Sequence, residues 1–467
     1  MICALLGVIS FTALLCLTPP EALSQAAAAV GSTGQIAMRV LAITSFAIFW
    51  WAGEVIADWL VAILMMLMWI MLAGFSFPGA FAGFSGSSVW LIVGAFGLAA
   101  GITKTGFFNR ISWFLLRLFS PTFQGQVLAL LLVGAVCAPL IPSATAKAVL
   151  GATVADSIAD AMGYAPDSKG RYGLFAASFI GFSCTTPAFM SGSVFTYTMY
   201  GALPETARAD ISWGSWTVST LPWLAVVLAG CFFAVRFLFC PKGKAQMTRE
   251  FVRSEYAKLG RMNAKEILSA GLLFVSVLLW IFESAWGVPA AVTAMLSMAL
   301  CFALGILDVK EISTAIPWGL TIFIGTVLNL GSIFSAVGIN EWLESLLTPI
   351  FRQMNSPALI VVAITAIVVI LRFVLVSQAA TVILIVATLT PAVSAMGMHP
   401  FIVGFIALAA EQCWFFNYQN VVYTPALSCL KGTAGRKESV MACAAFEIAA
   451  LLGYLVSIPY WRLLGLL

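Results

Sequence analysis

The feature that most constrains this chain is a succession of long apolar runs that continues from one end to the other. Hydrophobic residues make up 62% of the 467 residues and charged residues only 9%. An ordinary soluble domain is about half apolar and about a quarter charged. A single soluble core could not bury so much apolar surface, so the solvent of this chain must be lipid. The sequence therefore predicts an all-α polytopic membrane protein.

Eleven apolar runs are predicted as membrane spans, because a spanning helix needs about 20 apolar residues. They cover residues 2–18, 38–54, 57–74, 88–118, 172–200, 212–240, 267–284, 288–306, 316–346, 401–428 and 440–463. The first run lacks a basic leader and a cleavage site, so we expect it to be a retained span.

Two further apolar stretches, 124–161 and 353–395, are too long for one crossing and too interrupted for two. Each has a polar break in its middle, at 142–147 in the first and at 377–381 in the second. We expect each stretch to be a re-entrant hairpin, which enters and leaves the membrane by the same face.

Basic residues in short loops predict the orientation, because lysine and arginine accumulate on the cytoplasmic side. The loop 241–266 carries seven of them and is predicted to be cytoplasmic. Counting spans outward places three more basic loops inside, namely those with Arg110 and Arg117, with Lys169 and Arg171, and with Lys431, Arg436 and Lys437. The N-terminus is then predicted inside and the C-terminus outside, in a cytoplasmic (inner) membrane.

An internal repeat divides the chain into residues 1–240, a basic linker 241–266, and residues 267–467. Gly106 corresponds to Gly338 at an offset of 232, and Ser143 to Ser377 at an offset of 234. The predicted topology brings the first hairpin in from the cytoplasm and the second from outside. Such an inverted repeat with matched interruptions is typical of secondary transporters.

Motifs of enzymes are missing from the sequence. The ten cysteines stand singly without a C-x-x-C pair, there is one histidine, and no phosphate-binding loop, zinc-protease or nucleophile-elbow motif occurs. We therefore predict no enzymatic activity, no bound cofactor and no nucleic-acid partner.

The hairpin breaks suggest where an anion binds. A broken helix leaves free amides at its N-terminus, which carry partial positive charge. Ser143 and Thr145 in the first break, and Ser377, Gln378 and Thr381 in the second, can add side-chain donors. The alternative is that these hydroxyls bond to backbone carbonyls one turn back, as is common in membrane helices. Their repetition in both halves favours a ligand site.

Three stretches carry a resemblance to a known family. They are KTGFFNRISWFLLRLF from Lys104, PLIPSATAKAV from Pro139 and SQAATVILIVATLTP from Ser377. The chain resembles the divalent anion/sodium symporters, nearest to their citrate, tartrate and plastid dicarboxylate branch. The resemblance implies a homodimer whose scaffold holds the interface, with a mobile domain that carries the substrate by an elevator movement.

The hairpin tips depart from the family's usual S-N-T. This chain has Ser143-Ala144-Thr145 in the first tip and Ser377-Gln378-Ala379 in the second. Sodium prefers several hard oxygen ligands, and each site has lost at least one. The sodium sites near Ser143 and Ser377 are thus weakened, and sodium coupling is left open.

Ionisable and polar residues inside apolar runs are candidates for function. Lys147 is predicted either to face the substrate or to extend to the cytoplasmic face, and Arg372 to contact substrate, form an ion pair or cap carbonyls. Glu411 could pair with either cation or carry a proton. The family resemblance implies that the helices after the hairpins unwind around the pocket. The predicted substrate-binding residues are Ser143, Thr145, Lys147, Thr185, Thr186, Arg372, Ser377, Gln378, Thr381, Asn417, Gln419 and Asn420.

The predicted function is secondary transport of small divalent organic anions, either di- or tricarboxylates. A fixed charge at Lys147 would favour anion exchange, because it cannot be released at the far face as a sodium ion can. The alternatives are a sulfate or organosulfonate carrier, coupled to sodium or protons, and an anion channel. A channel would need a continuous polar path or a ring of like charges, which the sequence lacks.

Overall fold

The fold was analysed in a computed structural model that describes residues 2–140, 143–241, 247–354, 356–432 and 435–467. Pro142, Lys242 and Lys244, which entered the predictions above, lie outside the described residues. The described elements are helices joined by short connections. The α-helices are α1 (Ile2–Cys16), α2 (Glu21–Ala29), α3 (Gly34–Ala52), α4 (Asp58–Met71), α5 (Phe77–Ala80), α6 (Ser87–Thr105), α7 (Phe107–Leu116), α8 (Phe123–Cys137), α9 (Ala144–Ala161), α10 (Lys169–Phe179), α11 (Val194–Ala202), α12 (Glu205–Ala209), α13 (Trp213–Phe239), α14 (Arg249–Lys258), α15 (Ala264–Ile281), α16 (Glu283–Trp286), α17 (Ala290–Ala303), α18 (Ile312–Ala315), α19 (Trp318–Ala336), α20 (Ile339–Arg352), α21 (Pro357–Leu371), α22 (Gln378–Ser394), α23 (Pro400–Ala410), α24 (Tyr423–Leu427) and α25 (Arg436–Leu463).

The all-helical membrane architecture is confirmed. Within the described ranges, seven helices are long and apolar enough to cross a membrane, or up to nine if two bent helix pairs are each taken as one span. The bends are 77° between α1 and α2 and 118° between α20 and α21. Several predicted spans are shorter or broken helices, such as α4 and α17, so the total of eleven spans stays a prediction.

Two glycines break the helices that open each repeat. The stretches 88–118 and 316–346, each predicted as one span, consist of α6 and α7 around Gly106 and of α19 and α20 around Gly338. Gly106 has φ 79° and Gly338 has φ 77°, a left-handed conformation that glycine adopts without steric cost. Each stretch thus contains one helix long and apolar enough to span, α6 or α19, and a second helix after the glycine that the apolar composition did not reveal.

The second helix of each hairpin begins earlier than predicted. Ser143 precedes α9 and accepts a hydrogen bond from the amide of Ala146 at 3.3 Å, and Ser377 precedes α22 and accepts one from Ala380, also at 3.3 Å. Such serine caps satisfy one of the free amides of a helix start. The polar residues that follow each serine therefore form a first helical turn and not an irregular break.

The helices after the hairpins are interrupted as well. In the stretch 172–200, α10 ends at Phe179 and a π-turn and a short 3₁₀ turn precede α11. In the stretch 401–428, α23 ends at Ala410, and only a 3₁₀ turn and the short α24 follow. Non-helical backbone at membrane depth is tolerated only where protein or a water-filled cavity satisfies it, so these segments mark the interior around a site.

The two halves of the chain pack against each other. Helix α6 of the first half lies along α17 of the second, and α13 lies along α25. The contact between α13 and α25 includes Trp223, whose ring stacks near Tyr454, and Trp461, whose indole donates to the carbonyl of Ser219 at 2.9 Å. The fold is thus one interlocked bundle and not two separate repeats.

Candidate functional site

A cavity of about 730 Å³ lies where the tips of the two hairpins meet. The start of α9 and the start of α22 both form part of its wall, and Val421 and Val422 form the part next to α22. From the tips, the cavity is lined by Ser143, Ala144, Thr145, Ala146, Ser377, Gln378 and Ala379. Four of the twelve predicted binding residues are therefore brought together here, namely Ser143, Thr145, Ser377 and Gln378.

Two helix N-termini point into this cavity. The amides of the first helical positions have no partner within their helix, and the partial positive charges of both helix starts add in the same space. The Oγ atoms of Ser143 and Ser377 accept from their own helices, which leaves each hydroxyl proton for a ligand. Thr145 is exposed to the cavity, whereas Gln378 is buried and accepts from the amide of Val421 at 3.3 Å. The site offers hydrogen-bond donors without a formal charge at the tips.

Lys147 lies behind the first tip and does not line the cavity. Its side chain is fully buried, and its ammonium donates to the carbonyls of Ala138 at 2.7 Å and Gly192 at 2.5 Å. Ala138 precedes the break of the first hairpin, and Gly192 belongs to the interrupted segment between α10 and α11. The ammonium thus joins these two irregular stretches of backbone.

Arg372 makes similar contacts in the second half, although it precedes the second tip and Lys147 follows the first. Its guanidinium is fully buried and donates to the carbonyls of Leu375 at 2.8 Å and Val376 at 3.1 Å, in the break of the second hairpin. It also donates to the carbonyl of Gln419, and the Gln419 side-chain amide donates back to the carbonyl of Arg372 at 3.2 Å. Gln419 belongs to the interrupted segment after α23.

Each half therefore holds one buried cation that ties a hairpin break to the interrupted helix behind it. We call Lys147 and Arg372 the bridging cations. Carbonyl capping was one of the alternatives for Arg372, and the structure shows this arrangement for both residues.

The other predicted binding residues do not line this cavity. The hydroxyls of Thr185, Thr186 and Thr381 bond back to the carbonyls of Gly181, Ser183 and Ser377 at 2.6, 2.7 and 3.0 Å. This is the alternative expected for hydroxyls in membrane helices.

The predicted binding residues after α23 are Asn417, Gln419 and Asn420. Gln419 and Asn420 bond to backbone groups. The Asn420 side chain donates to the carbonyl of Gln412 and accepts from the amide of Val422, both at 3.0 Å. Asn417 is exposed and lines a separate cavity of about 290 Å³. These residues shape the interrupted segment, and their neighbours Val421 and Val422 reach the main cavity.

Four charged residues at the cavity mouth were missing from the predictions. They are Glu54, Asp58, Lys104 and Glu311. The Lys104 ammonium lies 2.6 Å from Glu311, and this hydrogen bond lowers the pKa of Glu311 below its usual value. Glu54 has φ 48°, the single left-handed non-glycine residue among those described. Lys104 stands in the K-T-G stretch, but only folding shows that it faces the cavity.

The fold is that of a membrane transporter. The structure of the YdaH transporter of Alcanivorax borkumensis superposes with a TM-score of 0.54 over 82% of this chain and 87% of that one, at 12% identity. The chain belongs to the family described as the sodium:sulfate symporter transmembrane region, whose model matches residues 5–467. It is a divalent anion/sodium symporter family member near the dicarboxylate branch.

Curated relatives are similar over part of their length. Inner membrane protein YbhI of Escherichia coli is 27% identical over 58% of this chain and 57% of its own, and dicarboxylate transporter 1 of Arabidopsis thaliana chloroplasts is 26% identical over 57% and 49%. The L-tartrate/succinate antiporter of Escherichia coli is 25% identical over 64% of this chain and 62% of its own. The chain thus spans about half to two-thirds of the length of these relatives.

Proposed function

We propose that this protein is a secondary transporter that exchanges small dicarboxylates across the inner membrane. The observation that carries the proposal is the convergence of two helix N-termini on one cavity, at Ser143 and Ser377. A dicarboxylate has two anionic ends, and each helix start can receive one of them. The printed names of two relatives, a dicarboxylate transporter and a tartrate/succinate antiporter, support this substrate class.

We further propose that the bridging cations replace part of the charge that sodium supplies in sodium-coupled carriers. Lys147 and Arg372 are held by backbone carbonyls and stay with the protein throughout the cycle. Without a bound anion, the transport site then keeps an unbalanced positive charge, so its movement across the membrane is slow. This favours exchange over net uptake.

Exchange of labelled succinate in proteoliposomes without sodium tests the proposal. We expect uptake to require succinate or another dicarboxylate inside and to be independent of a sodium gradient. Uptake that depends on sodium and ignores the internal anion would contradict exchange. Competition by sulfate stronger than that by succinate would favour a sulfate carrier, and flux without saturation would favour a channel.

The arrangement of charges supports the predicted topology. The mouth residues Lys104 and Glu311 lie in segments that the topology places on the cytoplasmic side, so we propose that the cavity is open to the cytoplasm. Ion pairs also join segments on the same predicted side. Arg110 at the start of α7 pairs with Glu266 at the start of α15, and Lys431 pairs with Asp160 at the end of α9.

We expect cysteine labelling to separate the two hairpins. Gln124 and Gln353 are both exposed and are the first residues of the first and second predicted hairpin. In a background without the exposed Cys16 and Cys240, Gln124→Cys should react with an impermeant maleimide only from the cytoplasm, and Gln353→Cys only from outside. Labelling of both positions from one side would contradict the inverted repeat. The homodimer and the elevator movement stay predictions from the family resemblance.

Thr145→Val is expected to weaken anion binding about tenfold or more. The substitution is nearly isosteric and removes a hydroxyl exposed to the cavity, and a hydrogen bond to a charged group contributes roughly 1.5–3 kcal/mol. The measurement is the affinity of the purified protein for succinate. Thr153→Val is the matched control, because Thr153 lies in the same helix, outside the cavity lining, and bonds to the carbonyl of Leu150 at 2.7 Å. An unchanged affinity in Thr145→Val would remove this residue from the site.

A further inference from the structure

Glu447 is a carboxylate in the middle of α25 that the proposed exchange does not use. Both of its oxygens are inaccessible to water and make no hydrogen bond to any described residue. An ionised carboxylate without a partner is very unfavourable in such a place, and the group takes up a proton instead. Ionisable residues within membrane segments are functional candidates by default.

The charges around Glu447 lead to the same conclusion. Glu411 lies within electrostatic reach of Glu447 on one side and of Arg372 on the other. One oxygen of Glu411 accepts from the Gln412 side chain at 2.9 Å, and the other has no partner among the described residues. Glu411 has a buried guanidinium within electrostatic reach and Glu447 has none among the described residues, so Glu447 is the carboxylate that takes up a proton.

The remaining titratable groups that face Glu447 are uncharged residues from each neighbouring element. They are Cys231 of α13, Cys184 of the π-turn, Cys413 after α23, and Cys443 and Tyr454 of α25 itself. No group of three or more histidine, cysteine or acidic residues among the described ranges could hold a metal ion. None of these neighbours supplies a positive charge to an ionised Glu447, so a proton is what neutralises this carboxylate.

One face of α25 leads from the cluster to a cavity. Ser439, Cys443 and Glu447 are spaced four residues apart on one face of α25, which places Ser439 about 12 Å along the helix from Glu447. Ser439 lines the cavity of about 290 Å³ together with Asn417 and Arg436. Its hydroxyl also receives a hydrogen bond from Tyr423 at 3.0 Å. A proton can enter by this route when the interior opens slightly.

The cluster is also joined to the anion cavity. Arg372 binds the carbonyls of Leu375 and Val376, which immediately precede the cavity residues Ser377 and Gln378. Ionisation of the second carboxylate would add a negative charge behind this wall and oppose an anion in the cavity. By linkage, a proton that favours the anion is itself favoured by the anion.

We propose that Glu447, coupled to Glu411 and Arg372, is a proton-binding site whose proton promotes binding of the transported anion. The carboxylate takes up one proton to become a carboxylic acid, and it returns that proton to water when it ionises. The effect on anion binding rests on the proposed function, whereas the protonation of Glu447 does not.

Infrared spectroscopy of the purified protein tests the protonation without any substrate. We expect the carbonyl stretch of a buried carboxylic acid at pH 7, and we expect Glu447→Gln to remove it. Cys443→Ser is the matched control and should keep the band. The protonation of Glu447 would be overturned if the unmodified protein lacked this band. It would also be overturned if the band kept its full intensity in Glu447→Gln.

Calorimetric titration with succinate tests the coupling. The affinity of the unmodified protein should fall about tenfold as the pH rises into the alkaline range, a size typical of coupling between sites, and binding there should take up protons from the buffer. Glu447→Gln imitates the protonated form, so its affinity should stay constant and no proton should be taken up. Binding of succinate by the unmodified protein without proton uptake at any pH would refute the coupling alone. No binding at any pH would refute the dicarboxylate proposal and the coupling, and would leave the infrared result to decide the proton site.

Discussion

Arg372→Gln is expected to reduce succinate exchange by at least about a hundredfold. The guanidinium donates to the carbonyls of Leu375, Val376 and Gln419, and glutamine cannot bridge the two segments. Each hydrogen bond to a charged group contributes roughly 1.5–3 kcal/mol, and two of them correspond to a factor of about 100 or more. The second tip should lose its position relative to the interrupted segment. Initial exchange rates in proteoliposomes, normalised to inserted protein, provide the measurement.

Two further variants separate charge from geometry at Arg372. Arg372→Lys keeps the charge but cannot form all three contacts, so we expect partial exchange. Arg372→Gln also leaves Glu411 without its cation, and Glu411→Gln added to it should restore thermal stability in detergent but not exchange. Wild-type exchange in Arg372→Gln would show that the bridge is dispensable.

Lys147→Gln should be the second severe variant, and Lys147→Arg should be far milder. The ammonium donates to Ala138 and Gly192 from a fully buried position. Its loss removes two charge-assisted hydrogen bonds and leaves two buried carbonyls without a donor, a change of about 3 kcal/mol or more. We expect exchange to fall about a hundredfold and the melting temperature to decrease. Arginine retains the charge and the donors, although it must fit a larger group into the same space.

Lys169→Gln is the control for Lys147, because Lys169 is also a lysine of the first half but begins α10 and does not line the cavity. The Lys169→Gln variant should exchange succinate at the rate of the unmodified protein. If Lys147→Gln melted at a lower temperature but exchanged normally, the residue would be structural only, and the proposed fixed charge would have to come from Arg372 alone.

The sequence was sufficient for the class of fold and for two of the segments that line the cavity. Composition predicted a helical membrane protein, and the matched serines at 143 and 377 predicted the two tips that line the cavity. These features are local, since a serine before an apolar helix acts as a cap wherever the helix lies.

The contacts of the buried cations and hydroxyls depended on the folded chain. Lys147 meets Gly192 across 45 residues and Arg372 meets Gln419 across 47, and such distances leave no periodic signal. The hydroxyls of Thr185 and Thr186 could equally face a ligand or their own helix. The split of 88–118 and 316–346 was missed because glycine is common in membrane helices, and Gly106 and Gly338 look ordinary among their neighbours.

The position of the bridging cations has a consequence for how quickly an anion can leave. Lys147 and Arg372 stand behind the wall, so neither of these two side chains touches the space between the tips. An anion held there exchanges its water for amides and hydroxyls and feels the two charges only at a distance. Departure then breaks no ion pair with Lys147 or Arg372, and the attraction of these two charges is almost the same for any small dianion of suitable length. Rapid turnover and tolerance of several substrates would both follow, because the charges of Lys147 and Arg372 lie behind the cavity wall and not in it.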